Sequence, residues 1–282
     1  MGRASELKLQ GFIRQKEKRY YSVRLKTAVG NVTSEQMAKV SEMAARYGRG
    51  YASLTARMNI EIPWVEREGL DEIRREAEDV GLVVGGMGAT VRPITACKGT
   101  VCDHGLADTQ GLGRRLDEEF FGRKLPAKLK MGIAGCPNDC TKAELNDIGF
   151  ICQSVPVVDA SLCVECNRCV SDCDSLSFGD DGRITLDRST CSNCGHCIQV
   201  CPSQAITAGE TGYAVSLGGR FGRAKRVGQR VGPLQSPDEV VVFTKAVIDY
   251  MEENARPKER LGEMIDRIGI NELLRDVLKN SR

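Results

Sequence analysis

Apolar positions recur along the chain at two alternating periods. Residues 20–26 (YYSVRLK) alternate apolar and polar side chains and predict a strand. Thr33 followed by Gln36 has the pattern of a capping box, and Met37, Val40, Met43, Ala44 and Tyr47 then repeat at helical spacing. Residues 52–61 alternate again, with Leu54, Ala56, Met58 and Ile60 on one side and Thr55, Arg57, Asn59 and Glu61 on the other, which predicts another strand. Leu70, Ile73, Ala77 and Val80 mark a second helix. This order suits an α+β half-domain over residues 1–82, with helices on one sheet face. Further on, Lys128 and Lys130 alternate with Leu129 and Met131, so a strand there puts both ammonium groups on one face. Residues 236–253 predict an amphipathic helix with Val240, Phe243, Val247, Tyr250 and Met251 on its apolar side. The stretch GYAVSLGGRFGRAKRVGQRVG, Gly-rich and basic, reads as a loop that wraps a large anionic ligand.

Composition narrows the classes. The chain has 282 residues, room for one large domain or about two smaller ones. Lys+Arg 40 against Asp+Glu 38 gives a net charge of +2, so neither nucleic acid nor an acidic disordered tail is indicated. Apolar runs such as Leu82-Val83-Val84 and Val240-Val241-Val242-Phe243 fall far short of the ~20 residues of a membrane span. The start, MGRASELKLQ, lacks the apolar stretch of a secretion signal, and a cytoplasmic protein without a membrane partner is expected.

The number that changes the picture is 13 cysteines. In a chain of this size without a secretion signal they point to metal rather than disulfides. The strongest set is Cys163-x2-Cys166-x2-Cys169-x3-Cys173, then Cys191-x2-Cys194-x2-Cys197-x3-Cys201-Pro202. Each run is the bacterial-type signature of a [4Fe–4S] cluster, in which the fourth cysteine crosses to the other cluster. One cluster is therefore assigned to Cys163, Cys166, Cys169 and Cys201, the other to Cys191, Cys194, Cys197 and Cys173. The first run ends in Asp174 where Pro is usual. Four evenly spaced cysteines, twice, argue against paired zinc sites, although C-x2-C suits tetrahedral zinc as well. The second set, Cys97-x4-Cys102 and Cys136-x3-Cys140, is less regular. Its spacing alone fits either a third [4Fe–4S] cluster or a four-thiolate zinc site. Cys152, among apolar residues in IGFICQSV, reads as a buried inert thiol.

GCPNDC, followed shortly by DIGF, resembles the cluster-binding segment of the sirohaem-dependent sulfite and nitrite reductases. The resemblance implies that Cys97, Cys102, Cys136 and Cys140 hold a [4Fe–4S] cluster and that Cys140 bridges it to the sirohaem iron. The first pair is separated by four residues where the family usually has five. LTARMNIEIPWV resembles the family's strand motif whose Arg points at the sirohaem, which implies that role for Arg57. Arg92 in GATVRPITAC and the pair Lys128 and Lys130 in LPAKLKMGIAGC resemble its other anion-binding positions. The glycine-rich segment resembles the family's sirohaem loop, with Arg220 and Arg223 implied as contacts of the cofactor carboxylates. ERLGEMIDRIG closes the domain in the family's manner.

Residues 158–209 resemble a two-cluster ferredoxin module inserted between residues 83–157 and 210–282 of the sirohaem/iron–sulfur domain. This layout is similar to the catalytic subunit of anaerobic or dissimilatory-type sulfite reductases. The expectation is a sirohaem enzyme with three [4Fe–4S] clusters that takes sulfite to sulfide in six electrons. Nitrite to ammonia is the same-class alternative, and an iron–sulfur electron-transfer subunit without substrate chemistry is the alternative of another class. No G-x-G-x-x-G follows a strand, so an external donor protein is expected to supply the electrons. The resemblance further implies a homodimer or pairing with a related subunit.

Overall fold

The alternating segment near the N-terminus organises the first unit of the computed structural model, which describes residues 3–280. Helix α1 (Arg3–Leu9) leads into β1 (Phe12–Arg14), which pairs antiparallel with β2 (Tyr20–Lys26). Along β2, Tyr21, Val23 and Leu25 are buried and the residues between them are half-buried, as alternation requires. Helix α2 (Ser34–Tyr47) starts at the expected capping box: Gln36 N–H donates to Thr33 Oγ1 and Thr33 N–H to Gln36 Oε1, both at 3.1 Å. Next come β3 (Ser53–Leu54), β4 (Ile60–Glu66), α3 (Leu70–Asp79) and β5 (Val83–Val84). The sheet order is β1-β2-β4-β3, with β5 beside β2, and the helices bury Val40, Met43, Ile73 and Ala77 against Leu25 and Ile62.

One expectation fails here. Residues 52–61 are not a single strand but the tight hairpin between β3 and β4. Thr55 N–H donates to Asn59 O at 2.8 Å, Asn59 N–H donates to Thr55 Oγ1 at 3.0 Å, and Met58 adopts φ +58°. Thr27 Oγ1 pins the turn by donating to Met58 O at 2.6 Å. Alternation at the two strand ends had bridged a turn whose geometry these hydrogen bonds set.

The second unit holds β6 (Thr95–Ala96), α4 (Thr109–Phe120), β7 (Met131–Ala134), β8 (Ile148–Val158), β9 (Leu176–Phe178), β10 (Ile184–Leu186), α5 (His196–Val200), β11 (Ile206–Leu217), β12 (Gln229–Leu234), α6 (Pro237–Asn254), α7 (Leu261–Ile268) and α8 (Ile270–Asn280). Its main sheet runs β12-β11-β8-β7-β6, parallel across β6, β7 and β8 and antiparallel beyond. Leu116, Val247 and Leu273 of α4, α6 and α8 share one core with Ile133, Phe150 and Val215 of the sheet. About half of the Gly-rich stretch is strand: Tyr213, Val215 and Leu217 face that core in β11, and the loop is confined to residues 218–228 before β12. Inside it, Arg220 and Arg226 exchange backbone hydrogen bonds at 2.8 Å.

Residues 159–205 leave the main sheet between Val158 of β8 and Ile206 of β11, which are paired in register. They form a small lobe with the β9–β10 hairpin and α5. Its hydrophobic core is Cys169, Leu176, Ile184 and Cys197, with Ile206. So thin a core does not hold a lobe of this length by apolar burial alone; a staple is needed. Among the described residues no helix is long and apolar enough to cross a membrane.

Candidate functional site

Because β6, β7 and β8 run parallel, the residues that precede them gather at one end of the sheet, and those that follow β6 and β7 gather at the other. The first end is basic. Arg92 precedes β6, Lys128 and Lys130 precede β7, and Asn146 and Asp147 precede β8. Leu129 and Met131 are fully buried, so the alternation that presents the two lysines is realised. Arg57 reaches across from the β3–β4 hairpin: Nη1 donates to Asn146 Oδ1 at 2.9 Å, and Nη2 donates to Pro93 O at 2.5 Å and Met131 O at 3.1 Å. Its Nε is buried without a hydrogen-bond partner. Arg92 is held by the Gly86 and Gly88 carbonyls, at 2.8 and 3.1 Å.

Two residues that sequence reasoning missed organise this end. Asp147 and Arg260, 0% and 6% exposed, form a bidentate pair at 3.1 and 2.6 Å, and Asp147 also accepts the Lys130 N–H at 2.8 Å. Burial raises the Asp147 carboxyl above its ordinary range, against the pull of Arg260. With Asp147 engaged by Arg260, the other cations repel one another. Burial foremost, then Arg57, Arg260 and Lys128, push Lys130 down to about 8. Burial also brings Arg57 and Arg92 down to about 10, aided by neighbouring Arg260 and Arg24 in both cases. Lys128 is lowered by burial and by Arg260, Arg92 and Arg220, which brings Arg220 into the same field. Arg220 is also bound to Glu263 at 2.5 Å. A cavity of about 290 Å³ between the 218–228 excursion and α7 is lined by Arg220, Arg226, Arg260 and Asp147. Arg223 is exposed on the excursion, outside the tetrad.

The other end is thiol-rich. Cys97, Cys102 and Cys140 surround Cys136, whose thiol is pushed up by burial and then by these three neighbours. Gly135 N–H donates to Cys97 Sγ at 3.0 Å. The two cysteine loops approach backbone to backbone, since a Cβ on Gly135 would lie 2.8 Å from Gly99 Cα. In the lobe the eight cysteines sort into two groups, in the crossed pattern read from the spacing. Cys163, Cys166, Cys169 and Cys201 line one cavity. Cys173, Cys191, Cys194 and Cys197 line another, of about 440 Å³. Burial and then Cys194, Cys173 and Cys191 push Cys197 up to about 11. Among the described residues no three Cys, His, Asp or Glu side chains converge closely enough to hold a single metal ion. Cys152 stands apart, 1% exposed and pushed up to about 12 by burial.

About 15–20 Å of extended strand separates the two ends, from Arg92 to Cys97 and from Lys130 to Cys136. What this arrangement offers is a cationic pocket for an anion at one end and three sets of thiolates for soft metal at the other.

Similar proteins extend this picture. An uncharacterized protein of Methanocaldococcus jannaschii is 30% identical over 257 residues, 91% of this chain and 90% of its own length. The coenzyme F420-dependent sulfite reductase of the same organism is 32% identical over 91% of this chain, which spans 42% of that enzyme. The solved structure of dissimilatory sulfite reductase I superposes with a TM-score of 0.73 at 21% identity, over 92% of this chain and 69% of its own. Residues 13–80 match the nitrite/sulfite reductase ferredoxin-like half domain, and residues 87–282 match the nitrite and sulphite reductase 4Fe-4S domain. These two segments meet around β5, and Arg57 of the first unit reaches into the second; the chain belongs to the nitrite and sulphite reductase family.

Proposed function

We propose that this oxidoreductase is a sirohaem enzyme that reduces sulfite to sulfide with six electrons delivered through three [4Fe–4S] clusters. The observation that carries the reading is the basic end: four cations face one another, the buried carboxylate among them is bound to Arg260, and Arg57 keeps a buried Nε without a partner. Such a cluster is costly until an anion joins it. Sulfite, nitrite and the carboxylates of sirohaem are anions of that kind, so the residues present fit both substrate and cofactor. An electron relay alone has no use for the pocket.

In this reading Cys97, Cys102, Cys136 and Cys140 would hold one cluster, and Cys140 would also help to hold sirohaem. Arg220 and Arg223 take cofactor carboxylates. Sirohaem, when bound, would supply the redox chemistry that delivers electrons to the substrate. The protein does the rest. Arg57 and Arg92 offer planar forks to the oxyanion, held in place by carbonyls of Pro93, Met131, Gly86 and Gly88. Lys128 and Lys130 add positive charge as oxygens leave. With its ammonium near 8, Lys130 is suited to give up a proton close to neutral pH. For hydrogen sulfite the balance is six electrons and six protons in, one HS⁻ and three waters out.

The separation of the two ends along β6 and β7 supports a shared site. Cations of one chain and thiols of another are joined more readily than the two ends of the same strands. A homodimer, or a pair with a related subunit, follows from this reading. The test of the reading is composition: anaerobically purified protein should contain extractable sirohaem and the iron and acid-labile sulfide of three [4Fe–4S] clusters. Zinc in place of one cluster, or protein without tetrapyrrole, would overturn it.

A further inference from the structure

The two thiol groups of the lobe differ in what lies beside them. The group of Cys173, Cys191, Cys194 and Cys197 is pressed against the main sheet. Ser154 N–H of β8 donates to Asn193 O at 2.8 Å, and Ser154 forms a bridge with Cys194. A Cβ on Gly195 would lie 3.0 Å from Ser154 Cβ and 3.7 Å from Leu106 Cδ2. Leu106 N–H in turn donates to Gly135 O at 2.9 Å, and Gly135 N–H donates to Cys97 Sγ at 3.0 Å. A single residue, Leu106, thus connects the two, its side chain at the Cys194–Gly195 turn and its backbone N–H at the Cys97–Cys136 loops.

The group of Cys163, Cys166, Cys169 and Cys201 has a different neighbourhood. Cys166 is exposed, as is Cys194 of the other group, and Leu162 and Val164 beside Cys166 are 51% and 63% exposed. Glu165 Oε1 lies 3.7 Å from the Cβ position of Gly182, which brings the exposed Asp180 and Asp181 next to it. Residues 159–205 carry seven Asp and Glu against three Arg and no Lys, a formal charge of −4, in a chain of net charge +2. The lobe is the acidic part of a protein that is otherwise basic.

Resting on the reductase reading above, we propose that the Cys163–Cys166 face is the docking surface for the external electron donor, a one-electron carrier protein with a basic rim. The inner group hands each electron past Leu106 to the Cys97/Cys102/Cys136/Cys140 group. Each event oxidises the carrier by one electron and reduces the outer group by one, and six events serve one sulfite. A small apolar centre at Leu162 and Val164 within an acidic rim suits a transient interface, with charge speeding encounter and apolar contact setting the fit.

Cytochrome c, a basic one-electron protein, serves as the probe and reads the same exchange in reverse. Protein reduced beforehand and freed of reductant is mixed with it in a stopped-flow instrument at low ionic strength. Glu165→Lys with Asp181→Lys should slow the second-order step at least tenfold, and the gap should close in high salt. Glu118→Lys with Glu119→Lys, at the far end of α4, should change it less than twofold. Carbodiimide cross-links to the cytochrome should map to Glu165, Asp180 or Asp181. Leu106→Gly should leave the first cytochrome step unchanged and slow electron departure from the central group several-fold, followed by freeze-quench electron paramagnetic resonance. A rate indifferent to the lobe reversals, or a Leu106→Gly effect on the cytochrome step itself, would overturn the proposal. Wild-type protein without cluster resonances would instead overturn the reductase reading beneath it, before any variant is compared.

Discussion

The two ends of β6 and β7 make opposite demands on the same strands. At one end, Arg57, Arg92, Lys128 and Lys130 crowd together and their pKa values fall. At the other, Cys136 sits among three thiols and its own pKa rises. Burial acts in the same direction at both, against whichever form is charged. Each end is therefore unfavourable until a ligand of opposite charge arrives, an anion for the cations and metal for the thiolates. The ends also differ in construction. The thiols come from short local motifs. The cations come from the hairpin of the first unit, from strand starts and from the approach to α7, and they meet only in the folded chain.

The sharpest break in this contrast is at Asp147. Replacing it by Asn leaves Arg260, 6% exposed, without its counter-charge, and should cost about 3–5 kcal/mol of stability in denaturant unfolding. Asp147→Leu with Arg260→Met, which removes both charges, should cost clearly less. An equal loss in both variants would mean that packing, not the uncompensated charge, is what matters there.

Next in size is Lys130. Lys130→Ala should lower kcat/KM for sulfite by about 10²–10³-fold, the usual loss of one charge-stabilising donor. The pH dependence has a definite sign. The ammonium form binds the anion and is present below about 8, so sulfite affinity should fall as pH rises through that value. Lys130→Arg should keep affinity flat across the same range, because guanidinium stays charged. Activity of Lys130→Ala equal to wild type on both sulfite and nitrite would remove the lysine from the site.

The smallest effect separates one chain from two. Subunits with only Arg57→Ala and subunits with only Cys140→Ser should each be nearly inactive. In a homodimer, mixing them restores one of two sites in half of the dimers, roughly a quarter of wild-type activity. No recovery, with mixed dimers shown to form, would return cations and thiols to the same subunit.

The thiol end was legible because cysteine spacing is a local signal, and the crossed grouping in the lobe follows it. The cations were legible one by one, through motif positions, but what holds them together was not. Asp147 and Arg260 lie 113 residues apart, and nothing in either segment marks a partner so distant. Arg57 was read as the outward residue of a strand. It is in fact presented by a turn, and only the hydrogen bonds of Thr55, Asn59 and Thr27 distinguish the two. In the Gly-rich stretch, glycine content masked the inward alternation of Tyr213, Val215 and Leu217, so a paired strand read as loop.

The most direct test of the reductase reading is a visible-spectrum titration of the anaerobically purified protein with sulfite. The expected result is a set of tetrapyrrole bands that shift saturably, with Lys130→Ala starting from the same bands but needing at least about tenfold more sulfite. Bands indifferent to both sulfite and nitrite, or no tetrapyrrole bands at all, would contradict it.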